Sequence, residues 1–365
     1  MLKYIVRRTL QAIPVLFGIT VVCFMLMHLQ PGNPADRFAQ NPKITQAQIS
    51  AFKHRWGLDE PLPVQYCMWM GACGDKGVLN ALPGGDISIA GLDIALPGGD
   101  NGVLHGDFGY SIFDGSPVTT IIINRALPTL ILAGTAYVIW ITIAFLAGVY
   151  AAVKRYGKFD SALTIFNYVG YSLPTFWLGL MLIAFLSVPP LKIFPASGMW
   201  DARTVPIFGT GDYWVFAGAH PLDAIVDLLR HLALPVLTLV LVSVAGDSRF
   251  IRSSMLDALN QDYVKTARAK GLSERRVIFR HALRNALLPV ITNVGLEIPF
   301  LFSGAIATET IFSWPGMGRQ FVESVGHNDY TVLMGILLIT SVIVVFGNLF
   351  ADIMYAVVDP RVKYD

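Results

Sequence analysis

The chain has 365 residues, 54% of them hydrophobic and only 14% charged, with a formal net charge of +2. Soluble domains carry about 25% charged residues, so an ordinary soluble fold is excluded, and the small net charge gives no reason to expect a nucleic-acid partner. Three cysteines, Cys23, Cys67 and Cys73, are too few for a disulfide framework.

A helix needs about 20 apolar residues to cross ~30 Å of hydrocarbon. The first such run covers residues 9–29, inside an N-terminal segment 1–30. Lys3, Arg7 and Arg8 precede it, and it ends at Gln30-Pro31-Gly32 without a small-x-small cleavage site. It therefore reads as a spanning helix rather than a cleaved signal. Cys23 falls mid-span as packing, and His28 at its boundary.

Residues 31–125 form the next segment, expected outside the membrane. Thr45 to Gln48 has capping-box spacing and opens a short helix through Trp56, which Gly57 ends. Pro61 and Pro63 start a second short helix carrying Tyr66 and Trp69. The hexapeptide at Ala81–Asp86 then recurs at Ala95–Asp100. Between the copies Ile87, Ile89, Leu92 and Ile94 alternate with small or polar residues, which predicts a small hairpin or meander with Gly-Gly turns. Acids are too sparse there to expect a metal. Cys67 and Cys73 stand on this outer side, where an oxidising compartment allows a disulfide; two buried thiols are the other reading.

Residues 126–356 hold five further apolar runs, near 127–153, 161–188, 232–254, 286–307 and 331–356, and 357–365 is a tail. Pro14, Pro174, Pro235, Pro289 and Pro299 interrupt the six runs, which membrane helices tolerate when neighbours re-satisfy the backbone. Gly134, Gly148, Gly170, Gly179, Gly295 and Gly304 permit close helix packing. The loop 189–231 carries Trp200, Tyr213 and Trp214, expected as headgroup anchors, and His220 as a boundary residue. Glu309 to Asp329 is too Gly-rich to continue a span and too apolar for a free loop, so it reads as a short re-entrant or surface helix. Glu297 and Asp352 fall within spans, where ionisable groups are costly and commonly face a cavity or partner. Glu297, with Glu309, is a candidate for the substrate route; Asp352 is expected to be structural.

Lys and Arg set the orientation. With the N-terminus inside, the inside segments carry Lys3, Arg7, Arg8, Lys154, Arg155, Lys158, every basic residue from Arg249 to Arg284, and Arg361 and Lys363. That is most of the 27 basic residues, while the acids concentrate outside. Six spans with both termini cytoplasmic is self-consistent.

The loop 256–286 carries the most information. Asp262 to Lys270 predicts a short helix with basic residues toward its C-terminal end, as the macrodipole prefers. Gly271 suits a left-handed position after it. Ser273 can cap a second helix with Glu274 in its first turn. A helix–Gly–helix element results, strongly basic; contact with anionic lipid is its simplest role. The run from Asp262 through Tyr263, Thr266, Ala267, Arg268, Ala269, Lys270 and Gly271 to Leu272, followed by Arg280–Pro289, resembles the dipeptide/oligopeptide branch of ABC importer permeases, B-type subunit. Further motifs agree in order: Pro31–Ala35, Gly57–Pro61, Gly106–Ser111, Arg125–Thr129, Ser172–Phe176, Glu309–Phe312 and Asp359–Arg361. Lys265, Thr266 and Ala267 depart from the Glu-Ala-Ala of general importer loops, and the spacing from Gly271 to Pro289 is longer than in sugar-type permeases. Residues 71–105 look inserted relative to the branch.

This resemblance implies an all-α integral membrane protein with the six-helix type I ABC importer fold (MetI-like) and a small extracytoplasmic α/β insertion. It implies a permease that couples through Asp262–Leu272 to one or two cytoplasmic ATPase subunits, pairs with a second homologous permease, and receives solute from an extracytoplasmic binding protein in a bacterial or archaeal inner membrane. ATP and Mg would sit on the partner ATPase, since no Gly-x-x-x-x-Gly-Lys-Ser/Thr loop occurs here; no cofactor is expected on this chain, nor a catalytic set. The alternative is a self-contained secondary transporter, which commonly shows inverted repeats with paired broken helices; no such repeat is visible in the spans.

Overall fold

The computed structural model describes residues 2–29, 45, 47, 50, 59–71, 87–89, 92–94, 102–303 and 306–358. Helices dominate: α1 (Leu2–Leu29), α2 (Leu62–Met70), α3 (Val118–Val153), α4 (Lys158–Ser172), α5 (Thr175–Leu186), α6 (Gly211–Ala219), α7 (Pro221–Leu259), α8 (Asp262–Ala269), α9 (Leu283–Ser303), α10 (Ile306–Ile311), α11 (Met317–Gly326) and α12 (Tyr330–Val358). Two short strands, β1 (Ile87–Ile89) and β2 (Leu92–Ile94), pair antiparallel with Ile87 opposite Ile94. This is the expected hairpin; the flanking hexapeptides, and nearly all of the helix expected over 45–56, lie outside the described residues.

Among the described residues, four helices are long and apolar enough to cross a membrane: Val6–Leu26, Val118–Val153, Pro221–Leu259 and Tyr330–Ala351. Together α4 and α5 are also apolar enough, but they are bent by 101° at their junction, the geometry of a broken span or a re-entrant loop. The sequence predicts a span over 161–188 interrupted at Pro174, and the interruption is a sharp bend. Pro174 offers no backbone N–H, and its ring disfavours a helical conformation at the residue before it. Leu173 accordingly turns extended (φ −83°, ψ 125°) and α4 stops. The stretch predicted as the fifth of six spans, 286–307, corresponds mainly to α9, most of whose side chains from residue 292 onward are outside the described set. The 39 residues of α7 run to about 58 Å at 1.5 Å each. That exceeds the predicted span 232–254 and carries the helix well past ~30 Å of hydrocarbon.

The chain divides into two compact units. One comprises residues 1–10, 126–319 and 343–365. Its core runs along α7, where Leu232, Val236, Val240 and Val244 pack with Leu132, Ala136, Met199 and the fully buried Trp314. Side chains four residues apart line one helix face, which is why this stripe of α7 is apolar. Gly148 lets α3 close on α7: a Cβ there would strike the carbonyl of Ser248 at 2.7 Å. Gly170 approaches Ala245 in the same way, at 2.9 Å. Gly134, expected to serve likewise, faces open space. Tyr213 is buried, not a headgroup anchor, while Trp214 beside it is 55% exposed.

The other unit comprises residues 11–125 and 320–342. Here Phe24 of α1 meets Tyr66 and Trp69 of α2 with ring centroids 5.3 and 5.9 Å apart. Thr20 and Tyr66 share a 2.7 Å hydrogen bond, and His28 and Gln65 one of 2.9 Å. His28 is thus a tie between helices rather than only a boundary residue. Asp329 is buried before α12: its carboxylate accepts from Ser111 Oγ at 2.5 Å and from the Val332 backbone N–H at 3.4 Å. Cys67 is disulfide-bonded and Cys23 is a buried free thiol. Cys73 lies outside the described residues.

Candidate functional site

The loop after α7 folds as a rigid platform. In α8 Val264 and Ala267 lie three residues apart on one face, and both are buried. They join Met255 and Ala258 of α7, Ala152 of α3, and Val277, Ile278, Ala282 and Ala286 further on in one apolar cluster. Full burial of a Val side chain is worth about 1.5–3 kcal/mol, so this underside anchors α8 firmly. The other face is open: Asp262, Tyr263, Lys265, Thr266, Arg268, Ala269 and Lys270 are all exposed.

A Schellman motif closes α8. Gly271 N–H donates to the Arg268 carbonyl at 2.9 Å, and Leu272 N–H to the Ala267 carbonyl at 3.4 Å. The motif needs a left-handed residue after the cap, and Gly271 sits at φ +74°. Leu272 then folds against the apolar cluster, which completes the motif. Two ion pairs fix the exposed rim. Lys265 reaches Asp262 at 2.9 Å, and Arg268 grips both oxygens of Glu274 across the glycine, at 2.6 and 3.2 Å. Lys265 holds the Asp262 carboxyl below the usual carboxylate range, and Arg268 does the same for Glu274.

Ser273 occupies the predicted N-cap position, with extended φ −60° and ψ 141°, but its side chain makes no capping bond. A turn at Glu274–Arg276 passes into a π-helical stretch, Val277–Ala282, before α9 begins. The wider π turn shifts which residues face inward, and π turns are frequent at functional sites. It buries Val277 and Ile278 as neighbours and leaves Phe279 58% exposed. Phe279 borders an open cavity of about 420 Å³ lined by Ser273, Arg275, Arg276 and Arg280. An apolar edge among three arginines is a surface suited to an acidic partner.

Glu297 and Glu309 part company. Glu309 is fully buried: Oε1 accepts from Thr129 Oγ1 at 2.8 Å and Oε2 from the Arg319 backbone N–H at 3.0 Å. Thr129 in turn accepts from the Met317 backbone N–H at 2.8 Å, and Trp314 Nε1 donates to the Pro128 carbonyl at 2.8 Å. A Cβ at Gly316 would collide with the Glu309 carboxyl. Glu309 is therefore the centre of a buried knot joining α3 to the α10–α11 turn, and not an open acceptor for solute. Glu297 accepts from Asn293 Nδ2 at 2.7 Å and has Asp247 of α7 as a carboxyl neighbour. Asp247 belongs to this pair, and Trp140 of α3 lies beside it. Only its place in an apolar run, as for Glu297, could have signalled it.

Long apolar helices carrying a preformed, basic, solvent-facing platform define a multi-spanning membrane transport component. Known sequences agree. Residues 144–364 match the model for the binding-protein-dependent transport system inner membrane component, and residues 1–78 match its N-terminal companion. The chain is 40% identical over 365 residues to the oligopeptide transport system permease protein AppB of Bacillus subtilis, covering 100% of both chains. It is 35% identical over 372 residues to the dipeptide transport system permease protein DppB of Escherichia coli K12, covering 100% of this chain and 99% of the relative. The di/tripeptide permease protein DppB of Pseudomonas aeruginosa is 36% identical over 368 residues, with the same coverage. The chain belongs to the binding-protein-dependent transport inner membrane component family. It is a multi-pass inner-membrane permease subunit of the ABC importer type.

Proposed function

We propose that this chain lines half of the route by which an ATP-driven importer takes up di- or oligopeptides, with a second homologous permease lining the other half. The observation that carries the coupling role is the Asp262–Leu272 platform. Its underside is anchored by Val264 and Ala267, and its basic upper face is left open beside Arg275, Arg276, Phe279 and Arg280. A lever that transmits rocking from an ATPase has to be stiff, exposed and fixed to a spanning helix. The platform is continuous with α7 through a single break at Asn260-Gln261. ATP and Mg belong to the partner ATPase, one or two kinds of which would seat on this face; both termini are cytoplasmic, and a binding protein delivers solute from outside. This chain carries no hydrolytic step of its own. The Asp247–Glu297 pair is the acceptor within the spans for a peptide's ammonium group, since adjacent carboxyls favour a cation or a shared proton between them.

Purification of the tagged chain from its native membrane in mild detergent tests the reading. Mass spectrometry is expected to recover a second permease, an ATPase and a secreted binding protein carrying peptide. Recovery of this chain alone, from a preparation where a control complex stays intact, would instead point to self-contained transport. With the complex in hand, Glu297→Gln is expected to raise the KM for peptide uptake while leaving ATPase assembly unchanged; an unaltered KM removes Glu297 from the route.

A further inference from the structure

We propose that a cavity between α4 and α7 binds one oxyanion group, a phosphate or a carboxylate. The cavity has a volume of about 260 Å³ and is lined by Thr164, Asn167, Tyr168, Arg249 and Arg252. Neither Glu297 nor any residue of the basic platform lines it.

Three of the lining residues, Arg249, Arg252 and Asn167, turn donors to the cavity. Arg252 binds Asp160 through Nε at 2.5 Å and Nη2 at 2.9 Å, leaving Nη1 over. Asp160, 3% exposed, also accepts from the Tyr156 backbone N–H at 2.9 Å, so its oxygens are already engaged. That pair is neutral as a unit. Arg249 adds a full positive charge. Among the described residues it has no ion-pair partner, only the ring of Tyr168 at 5.8 Å from the guanidinium carbon. Asn167 is 7% exposed, and its Oδ1 accepts from Ser248 Oγ at 3.0 Å. The Ser248 bond orients the amide and leaves Nδ2 as a donor. Thr164 already gives its hydroxyl proton to the Asp160 carbonyl at 2.7 Å.

A lining of one unpaired guanidinium, one spare N–H of a second, and one oriented amide N–H has no free carboxylate among the described residues. Such a set repels cations and matches an oxyanion, which accepts several charge-assisted bonds at once. Liquid water occupies about 30 Å³ per molecule, so a phosphate or carboxylate fits with room for water. Two sources share this chemistry: the headgroup of an acidic phospholipid, and a free anion. Ile165, Tyr168 and Val169 on the same helix are 66%, 64% and 55% exposed, so an acyl chain could lie beside the opening.

The test uses the full chain in nanodiscs, as wild type, Arg249→Ala, Arg249→Lys and, as control for general charge, Arg203→Ala in an exposed loop. In discs containing phosphatidylglycerol, native mass spectrometry counts the acidic lipids that stay bound. In phosphatidylcholine discs, a thermal shift on adding inorganic phosphate reads a free anion. Removing one charge-assisted donor should weaken retention about tenfold in Arg249→Ala. Arg249→Lys should keep most of it, and Arg203→Ala should match wild type. Selective loss in the lipid arm assigns the headgroup; selective loss of the phosphate shift assigns a free anion. Asn167→Asp, which keeps the Ser248 bond but replaces the amide donor with negative charge, should lose the same signal as Arg249→Ala. Equal retention and equal shifts across all variants overturn the site.

Discussion

The α8 platform and the Glu309 knot are two ways of holding a turn next to long helices, and they divide the work of apolar and polar contacts oppositely. In the platform the buried contacts are apolar, from Val264, Ala267 and Val277, and the charges stay in water. In the knot the carboxyl itself is buried, and Thr129, Trp314 and the backbone at Arg319 supply its surroundings. Exposed ion pairs contribute little, whereas a buried polar group stripped of its partner costs its full desolvation. The two turns should therefore fail differently when altered.

The largest effect belongs to the knot. Glu309→Ala leaves Thr129 Oγ1 and the Arg319 N–H without their acceptor in a buried site. At about 1–3 kcal/mol for each unsatisfied group, the loss should reach about 3 kcal/mol or more, read as a lower melting temperature in detergent. A melting curve within a degree of wild type would mean that water replaces the carboxyl, and the contrast between the two turns would fall. Next comes the platform's underside. Val264→Ala removes two buried methyl groups at about 0.8 kcal/mol each, plus a cavity cost, or about 2 kcal/mol. It should loosen the platform, so ATPase stimulation should fall while the permease stays folded. Gly271→Val follows: a left-handed conformation costs a residue with a Cβ about 1–2 kcal/mol, and more for a β-branched one, although the site has open space. Gly271→Asn should recover most of that loss, since Asn tolerates this conformation. Valine and asparagine behaving alike would show that the backbone can close the turn another way.

The platform was far more legible in the sequence than the knot, for a physical reason. Its signals are local: basic residues late in α8, Gly271 where the chain must reverse, and apolar positions three apart. Each acts over a few residues and needs no knowledge of the rest. The knot depends on a bond between residues 180 positions apart. A glutamate at the end of an apolar run reads as exposed unless Thr129 is known to face it. The sharp bend after Ser172 was illegible for a similar reason: membrane helices often carry proline without breaking, as Pro128 in α3 and Pro235 in α7 do here. What distinguishes Pro174 is the tertiary setting, in which α5 turns to pack Gly179 against Phe312. The π turn at Val277–Ala282 leaves no mark in composition, since the extra residue is absorbed by burying two adjacent apolar side chains.

The smallest expected effect is the sharpest probe of the platform's exposed rim. Arg268 and Glu274 are 44% and 57% exposed, so the pair contributes under about 1 kcal/mol, further reduced by salt. The Glu274 carboxyl lies below its ordinary range because Arg268 hydrogen-bonds its charged form. A carboxyl depressed in the folded state stabilises that state above its unfolded pKa, near 4.3. That contribution is lost as pH falls through the folded value. Wild type and Glu274→Gln should therefore differ slightly in melting temperature at neutral pH and converge under acid conditions. The same gap should close at about 1 M salt at neutral pH, where the Debye length is about 3 Å. A gap that persists in both conditions would show that Glu274 acts by something other than charge. The rim would then resemble the Glu309 knot, with a carboxyl valued for its fit as an acceptor.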